Sequence, residues 1–449
     1  MMNLPCNAFR NVGESMKIAI IGTGIAGNLA AYRLSRKHDI TVYEADSRIG
    51  GHTNTVDVLA AGQRWAIDTG FIVFNDATYP HFIALLDELG VESQPSEMSF
   101  SVRSERNGLE YNGASINALF AQRSNLLRPS FYRMINDILR FNREAPALLD
   151  EPENAITLGE YLDHHGYSKE FVEHYIVPMG AAIWSATAEG MRGVPAIFFI
   201  RFFSNHGLLS VNDRPTWRVI KGGSRNYLDK LVAGHRDRIR LNAPVEWIRR
   251  HPGYVEVKAL GAASERYDRV FLACHSDQAL QLLADPTAEE QAVLGAMAYQ
   301  QNEAVLHTDE SLMPRRKLAW AAWNYHIPQG PADPEGKVAL TYNMNILQGL
   351  KAPVEFCVTL NHTHAIDPEK IIQTVNYEHP IFTERAVAAQ GRHREINGTG
   401  GTYYCGAYWR YGFHEDGVVS AKAALDHFEE DLQLAGSQSN EKRYLRRAS

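Results

Sequence analysis

KIAIIGTGIAG, residues 17–27, decides the architecture. Lys17 to Ile21 is a near-continuous apolar run of the kind buried in a parallel sheet, and glycines follow at Gly22, Gly24 and Gly27. A G-x-G-x-x-G between a strand and a helix gives each glycine a task. Gly22 permits the tight turn, Gly24 lets the backbone approach a pyrophosphate, and Gly27 lets helix and strand pack closely. The helix that opens beyond the turn offers free N–H groups and a partial positive charge to phosphates, and Ile25 and Ala26 of the turn join the glycines as candidate cofactor contacts. Helical composition over Asn28 to Arg36 and a β-branched strand over Ile40 to Tyr43 complete a βαβ unit with a right-handed crossover.

Glu44 ends that second strand, about 20 residues beyond the central glycine. A carboxylate there accepts hydrogen bonds from the ribose hydroxyls of an adenosine and repels a 2′-phosphate, which disfavours NADP. After Ala45 comes Arg48-Ile49-Gly50-Gly51. Two glycines beyond an arginine let the chain pass close to a dinucleotide while the guanidinium meets a phosphate.

A length of 449 residues predicts two to three domains. With 45% hydrophobic and 22% charged residues the composition is that of a globular protein, and a net charge of −7 lacks the basic footprint of a nucleic-acid binder. The four cysteines, Cys6, Cys274, Cys357 and Cys405, are widely spaced, so a disulfide framework or a zinc site is not expected and a reducing compartment is. Residues 1–15 lack the apolar core of a secretory signal and read as a disordered leader, with Met16 starting the folded protein. No stretch reaches the roughly 18 apolar residues of a membrane span. VPAIFFIRFF (194–203) is too short, is broken by Arg201, and reads as a core or cavity-lining segment. A cytoplasmic location follows, with contact at the inner membrane the minority reading.

Farther along, 112–175 is helix-rich, with apolar residues at helical spacing in LRPSFYRMINDILRFNREAPALLD. Strand and turn character returns at 240–257 and 269–273, and 338–341 and 355–360 read as strands of a second sheet. A last short strand at 402–405 precedes glycines and a helix over 418–432. Strand-turn-helix signals at both ends and in the middle predict one α/β, Rossmann-type domain assembled from separate segments. Its pieces are 16–95, 216–285 and 395–435; an α+β substrate domain takes 96–215 and 286–394, and 436–449 is a C-terminal tail.

GTGIAGNLAAYRL followed by ITVYEADSRIGGHTNT resembles the N-terminal signature of the flavin-containing amine oxidase superfamily, which includes phytoene-desaturase-like and protoporphyrinogen-oxidase-like enzymes. Thr53 falls within it, and His52 stands where the family usually has a second arginine. The resemblance implies FAD, with Asp68-Thr69-Gly70 running under the flavin and Lys221-Gly222-Gly223-Ser224 opening a second part of the FAD domain. Val245 falls at the family's backbone contact to adenine. Tyr404-Cys405-Gly406 and Gly412-Phe413-His414-Glu415-Asp416-Gly417 resemble the C-terminal FAD motif, so Gly406, Glu415 and Asp416 join the implied cofactor residues. A helix N-terminus aimed at the flavin pyrimidine ring suits negative charge on a reduced flavin.

Two departures separate this chain from amine oxidases. Asn302, in QNEAVLH, stands where many of them have a lysine beside the flavin, and Phe413 replaces an aromatic-cage tyrosine. Cys405 does not match the cysteine that carries covalent flavin in monoamine oxidases, which implies non-covalent FAD. FSNHGLL (203–209), YNMNILQGL, YEHPIF and YGFHEDG are similar to a bacterial subgroup of NAD(P)/FAD-binding, amine-oxidase-like proteins, some associated with modification of fatty acyl chains. This resemblance implies a hydride-removing oxidoreductase acting on an apolar lipid chain, with a lipid methyltransferase as a candidate partner. His414 and His206 are candidate catalytic histidines; the other histidines lack ligand spacing, and no metal site is expected. The alternatives are an amine oxidase releasing peroxide, a non-catalytic nucleotide-binding module, and an NAD dehydrogenase, which leaves the C-terminal motif unexplained.

Overall fold

The computed structural model describes residues 15–151, 155–210, 214–330 and 336–448. All of the expected leader but Ser15 lies outside them. The chain divides into two compact units. One comprises Met1–Gly51, Tyr227–Met297 and Arg385–Ser449, the other His52–Asn226 and Ala298–Glu384.

The first unit is built on a five-stranded parallel sheet. Lys17–Ile21 lies between Asp39–Tyr43 and Arg269–Leu272; Ile239–Arg240 adds outside the former and Thr402–Tyr404 outside the latter. Ile18, Ile20, Val42, Val270, Phe271 and Leu272 are fully buried, as strands covered on both faces require. An antiparallel sheet of Val245–His251, Tyr254–Ala259 and Glu265–Tyr267 completes the strand framework. The glycine-loop helix, Ile25–Leu34, starts directly after Gly24, three residues before the sequence places it. The terminal helix runs His414–Ala448, well past 418–432 at both ends, and absorbs most of the expected tail. Within the tail Glu441, Lys442, Arg443, Leu445, Arg446 and Arg447 are residues that propagate a helix once one is nucleated.

The second unit centres on a seven-stranded sheet in the order Ile371–Ile381, Ala298–His307, Cys357–Leu360, Ala339–Asn343, Trp323–Ile327, Phe100–Ser104, Leu109–Asn112. Neighbours are antiparallel except Trp323–Ile327 with Phe100–Ser104. Leu306, Leu340, Val358, Phe356 and Met344 form its main core with Ile67 and Val219. The helices Pro129–Glu144, Leu158–His164, Val177–Trp184 and Ala196–Asn205 belong to this unit. Residues 52–95 and 216–226, assigned from sequence to the cofactor domain, fall in this second unit. The strand Trp217–Ile220 pairs between Val73–Asn75 and Ser93–Pro95, which binds those segments into one body. Among the described residues no helix is long and apolar enough to cross a membrane.

Candidate functional site

In the first unit the glycine loop is shaped by what leaves no room. Gly22 has φ +101, and a Cβ there would lie 2.9 Å from the Ala273 carbonyl oxygen. A Cβ on Gly27 would overlap the Gly22 carbonyl oxygen. Gly24 differs: a Cβ there would meet nothing within 4 Å, so open space lies in front of the loop. Gly24 caps the helix without a side-chain hydrogen bond, leaving the first-turn N–H groups without a side-chain acceptor from the cap residue. An open glycine at an uncapped helix N-terminus fits the pyrophosphate of a dinucleotide.

Glu44 is half-buried and already engaged. One carboxylate oxygen accepts from the Thr23 N–H (2.9 Å) and from the Thr23 hydroxyl, while the other accepts from the Asp46 N–H (2.9 Å). Thr23 Oγ1 also accepts from the Gly50 N–H (3.1 Å), so one threonine ties the glycine loop, the Glu44 carboxylate and the Gly50-Gly51 pair together. Gly51 packs its α-carbon region against Gly24, Ala45 is exposed, and Arg48 is half-buried with Nε 3.4 Å from Asp46. Thr23 is the participant that sequence reading missed, because a variable motif position carries no signal of its own.

The C-terminal motif joins the same unit. A Cβ on Gly417 would lie 2.6 Å from Ile25 Cγ2, so the first turns of the two long helices touch. Gly406 donates its N–H to Ser420 Oγ (2.9 Å). Asp416 accepts the N–H groups of Phe413 (2.9 Å) and Tyr411 (3.2 Å), and burial raises its pKa to about 7. Its carboxylate therefore shapes the entry to the helix. His414 is buried; its Nε2 lies 2.8 Å from the Tyr227 hydroxyl, and burial lowers its pKa to about 3, holding the imidazole neutral. Glu415 is buried in the first turn, and Val245 opens its strand opposite Ala259. Cys405 is fully buried and its thiol pKa is raised by burial, which keeps the sulfur protonated.

Four of the sequence-assigned residues, Thr53, Gly70, His206 and Asn302, belong to the second unit. Thr53 is buried. A Cβ on Gly70 would overlap the His52 carbonyl oxygen and come within 3.0 Å of the Tyr377 hydroxyl. That hydroxyl bonds Thr69 Oγ1 (2.9 Å) and Asn54 Nδ2 (3.2 Å), and the Tyr377 ring stacks on His52. His52 also meets His379 edge-on, and His379 Nδ1 lies 3.0 Å from Asn302 Nδ2. Asn302 is buried with both ends of its amide in use. Nδ2 also donates to the Gln300 carbonyl (3.2 Å), and Oδ1 accepts from Asn361 (2.8 Å) and Gln300 (3.2 Å).

Asp68 and the Lys221-Gly222-Gly223-Ser224 turn meet in this unit. The buried Asp68 carboxylate accepts the Ser224 N–H (2.9 Å) and hydroxyl (2.7 Å) and the Thr55 hydroxyl (2.6 Å), while burial raises its pKa to about 6. A Cβ on Gly223 would lie 2.7 Å from Thr55, which explains the second glycine of the turn. His206 lies against Phe202: ring centroids are 3.8 Å apart, Nδ1 is 2.9 Å from the Phe202 carbonyl, and burial lowers its pKa to about 4. Trp184, Phe198, Phe202 and Phe382 surround one another nearby in the chain's packing. Tyr377 and Phe382, the two ends of YEHPIF, are the aromatic members that sequence alone gave no role.

Comparison with known proteins agrees with this geometry. Residues 25–345 match the family described as flavin containing amine oxidoreductase. Protoporphyrinogen oxidase 2, chloroplastic/mitochondrial, of Arabidopsis thaliana is 26% identical over 168 residues, a match spanning 36% of this chain and 31% of that relative's length. Cyclohexylamine oxidase from Brevibacterium oxydans IH-35A superposes with a TM-score of 0.67 at 18% identity, covering 93% of this chain and 99% of the other. A CLA-producing fatty acid isomerase from P. acnes gives 0.64 at 15% identity over 92% and 98%. The uncapped helix behind Gly24 and the Glu44 carboxylate fit the FAD this family carries, and the chain belongs to the flavin containing amine oxidoreductase family.

Proposed function

We propose that this FAD-dependent oxidoreductase removes hydride from an apolar substrate, a fatty acyl or other lipid chain. The fold alone does not choose a substrate, since cyclohexylamine oxidase and a fatty acid isomerase share it. The observation that carries the reading is the strand face around Asn302. Its amide is saturated by Gln300, Asn361 and His379, and Asn302 itself, unlike a lysine, has no ionisable group to hold or exchange a proton. Gln300 also donates to the Ser185 carbonyl (2.7 Å), directly after Trp184, so this strand borders the aromatic group of Trp184, Phe198, Phe202 and Phe382.

Bound FAD supplies a hydride acceptor. The chain supplies the surroundings. The glycine loop and Glu44 hold the dinucleotide, non-covalently, as the buried and protonated Cys405 allows. The aromatic side chains exclude water and orient an apolar chain. His206 and His414 are held neutral by burial, so they act by accepting or donating hydrogen bonds rather than by carrying charge. Peripheral contact with a lipid surface belongs to the same reading. Ile116 and Leu127 are 80% and 88% exposed, close in sequence to Arg123 and Arg128. A lipid-methylating enzyme is the class of partner that would hand over such a substrate.

The test is the anaerobic flavin spectrum of the purified protein with methylated or unsaturated phospholipid, then with a primary amine. Bleaching near roughly 450 nm with lipid and not with amine supports the proposal, because hydride must reach the flavin. Bleaching with amine alone overturns it in favour of an amine oxidase.

A further inference from the structure

The last strand of the seven-stranded sheet, Leu109–Asn112, anchors two stretches of the second unit side by side. The buried Glu110 carboxylate accepts from Arg316 Nη1 (2.8 Å) and from the Arg315 N–H (3.0 Å). Glu110 also donates its own N–H to Gln122 Oε1 (2.9 Å), and its carbonyl accepts from Asn125 Nδ2 (3.1 Å). Asn112 donates to the Trp320 carbonyl (2.8 Å), and the turn Lys317–Ala319 packs against the short helix Ile116–Leu119. Phe120 meets the rings of Phe131 and Tyr132, and the Tyr132 hydroxyl donates to the Leu126 carbonyl (3.1 Å). Residues 113–133 and 315–318 thus make one surface at the edge of the sheet.

Two properties of this surface point to one kind of partner. Five of the eleven large apolar side chains that stand exposed among the described residues lie on it: Ile116, Leu126, Leu127, Tyr132 and Leu318. Scattered apolar side chains need no explanation, whereas a gathered set marks an interaction site. Charge is the second property. The two stretches carry six cations, Arg123, Arg128, Arg133, Arg315, Arg316 and Lys317, and no acidic residue, in a chain of net charge −7. Glu170 takes Arg133 and Glu110 takes Arg316, but among the described residues Arg123, Arg128, Arg315 and Lys317 form no ion pair. A nucleic acid would use the cations and leave the aliphatic tips in water; the headgroup boundary of an anionic bilayer uses both.

We propose that this surface docks the protein on a bilayer leaflet carrying anionic headgroups, with Ile116 and Leu127 entering the acyl boundary and the unpaired cations meeting lipid headgroups. The proposal deepens the lipid-chain reading above and rests on it for the reason a membrane is visited, since such a substrate resides there.

Co-sedimentation of the flavin-loaded full chain with sucrose-loaded vesicles tests it, phosphatidylglycerol mixed with phosphatidylcholine against phosphatidylcholine alone. Binding to the anionic vesicles is expected, weakening as salt rises from about 0.1 to 0.5 M. Arg315→Gln combined with Lys317→Gln should weaken it about tenfold or more, because each cation near a charged leaflet contributes about fivefold. Ile116→Ser combined with Leu127→Ser should cost a similar factor at unchanged charge. All four positions are exposed, so both variants should melt like the wild type. Equal binding to the two vesicles, no binding, or binding unchanged in either double variant would overturn the proposal. Anaerobic flavin bleaching by detergent-dispersed phospholipid reads the substrate separately. Docking without bleaching leaves this surface standing and removes the lipid substrate; bleaching without docking does the reverse.

Discussion

The two units build their sites from opposite materials. In the first, glycines shape the loop by leaving room at Gly24 and permitting none at Gly22 and Gly27, and the groups left without a side-chain cap are backbone N–H. In the second, the Asn302 network is made of side chains drawn from the chain near His52, the strand Ala298–His307, Asn361 and the strand Ile371–Ile381. A backbone site depends on positions where any side chain is excluded, so it fails abruptly when one is added. A side-chain site is spread over many hydrogen bonds and fails by degrees. Substitutions in the two units should therefore differ in kind as well as in size.

The largest effect belongs to Gly27→Ala. Its new methyl would overlap the Gly22 carbonyl oxygen and press on the Ala273 side chain (3.1 Å), while the Gly22 N–H is tied to the Tyr43 carbonyl (2.8 Å). Backbone has to shift, at more than about 3 kcal/mol, the severe end of overpacking. The expected product is a protein that neither melts cooperatively nor retains flavin, measured by thermal denaturation and by absorbance near 450 nm. A Gly27→Ala protein with normal melting and full flavin would remove the packing argument for that glycine.

Acid probes the buried side chains of both units. His206, His235, His307, His326 and His393 are each lowered to about 4, and His414 to about 3, all chiefly by burial. Each contributes stability that is complete above the unfolded value of about 6.5 and is lost as pH falls through the folded value. Asp68 and Asp416, raised to about 6 and about 7, act in the opposite sense: their contribution is present at low pH and is lost as pH rises through those values. Six imidazoles outweigh two carboxylates, so stability should fall between pH 6.5 and 4, by up to about 1.4 kcal/mol per pH unit for each net proton taken up. Urea midpoints at pH 8, 6.5 and 5 measure it. A midpoint that is flat or rises from 6.5 to 5 would contradict neutral burial of these rings.

A smaller loss is expected from Asn302→Ala. It strips a partner from His379, Gln300 and Asn361, of which Asn361 keeps the Val338 carbonyl (3.2 Å). Leaving buried polar groups unpaired costs about 2 kcal/mol, with cooperative unfolding and flavin binding both preserved. Equilibrium denaturation measures the difference. A change below about 0.5 kcal/mol would mean that water replaces the amide and that the network is not a unit.

The same contrast explains how much the chain disclosed before its structure. Gly22, Gly24, Gly27 and Glu44 were legible because backbone geometry and ribose chemistry restrict those positions to one or two residue types. The buried strands 17–21 and 40–43 were legible, the first from its near-continuous apolar run and the second from its β-branched residues. Thr23, Tyr377 and the pairing of Asp68 with Ser224 were not, since each depends on a partner that only folding brings near: Tyr377 reaches Thr69 across 308 positions. The Gly51 boundary was hidden for the same reason, because Trp217–Ile220 must pair with Val73–Asn75 before residues 52–95 join the second unit.

The smallest effect on the fold, and the finest test of the comparison, is Gly24→Ala. This glycine shares its loop with Gly27, yet a Cβ would meet nothing within 4 Å, and its φ of −65° is open to any residue. Folding has no use for a bare α-carbon here, so stability of the flavin-free protein should stay within about 0.5 kcal/mol, as for an unencumbered surface change. The ligand does have a use for it. A methyl placed where the pyrophosphate approaches the helix N-terminus lengthens hydrogen bonds to an anion, and about tenfold or more in flavin affinity should be lost. Equilibrium dialysis of FAD against the wild-type and Gly24→Ala apoproteins, beside their melting curves, separates the two. Weaker flavin at unchanged stability assigns Gly24 to the cofactor and Gly27 to the fold; unchanged flavin affinity would mean that the pyrophosphate does not approach the chain at Gly24.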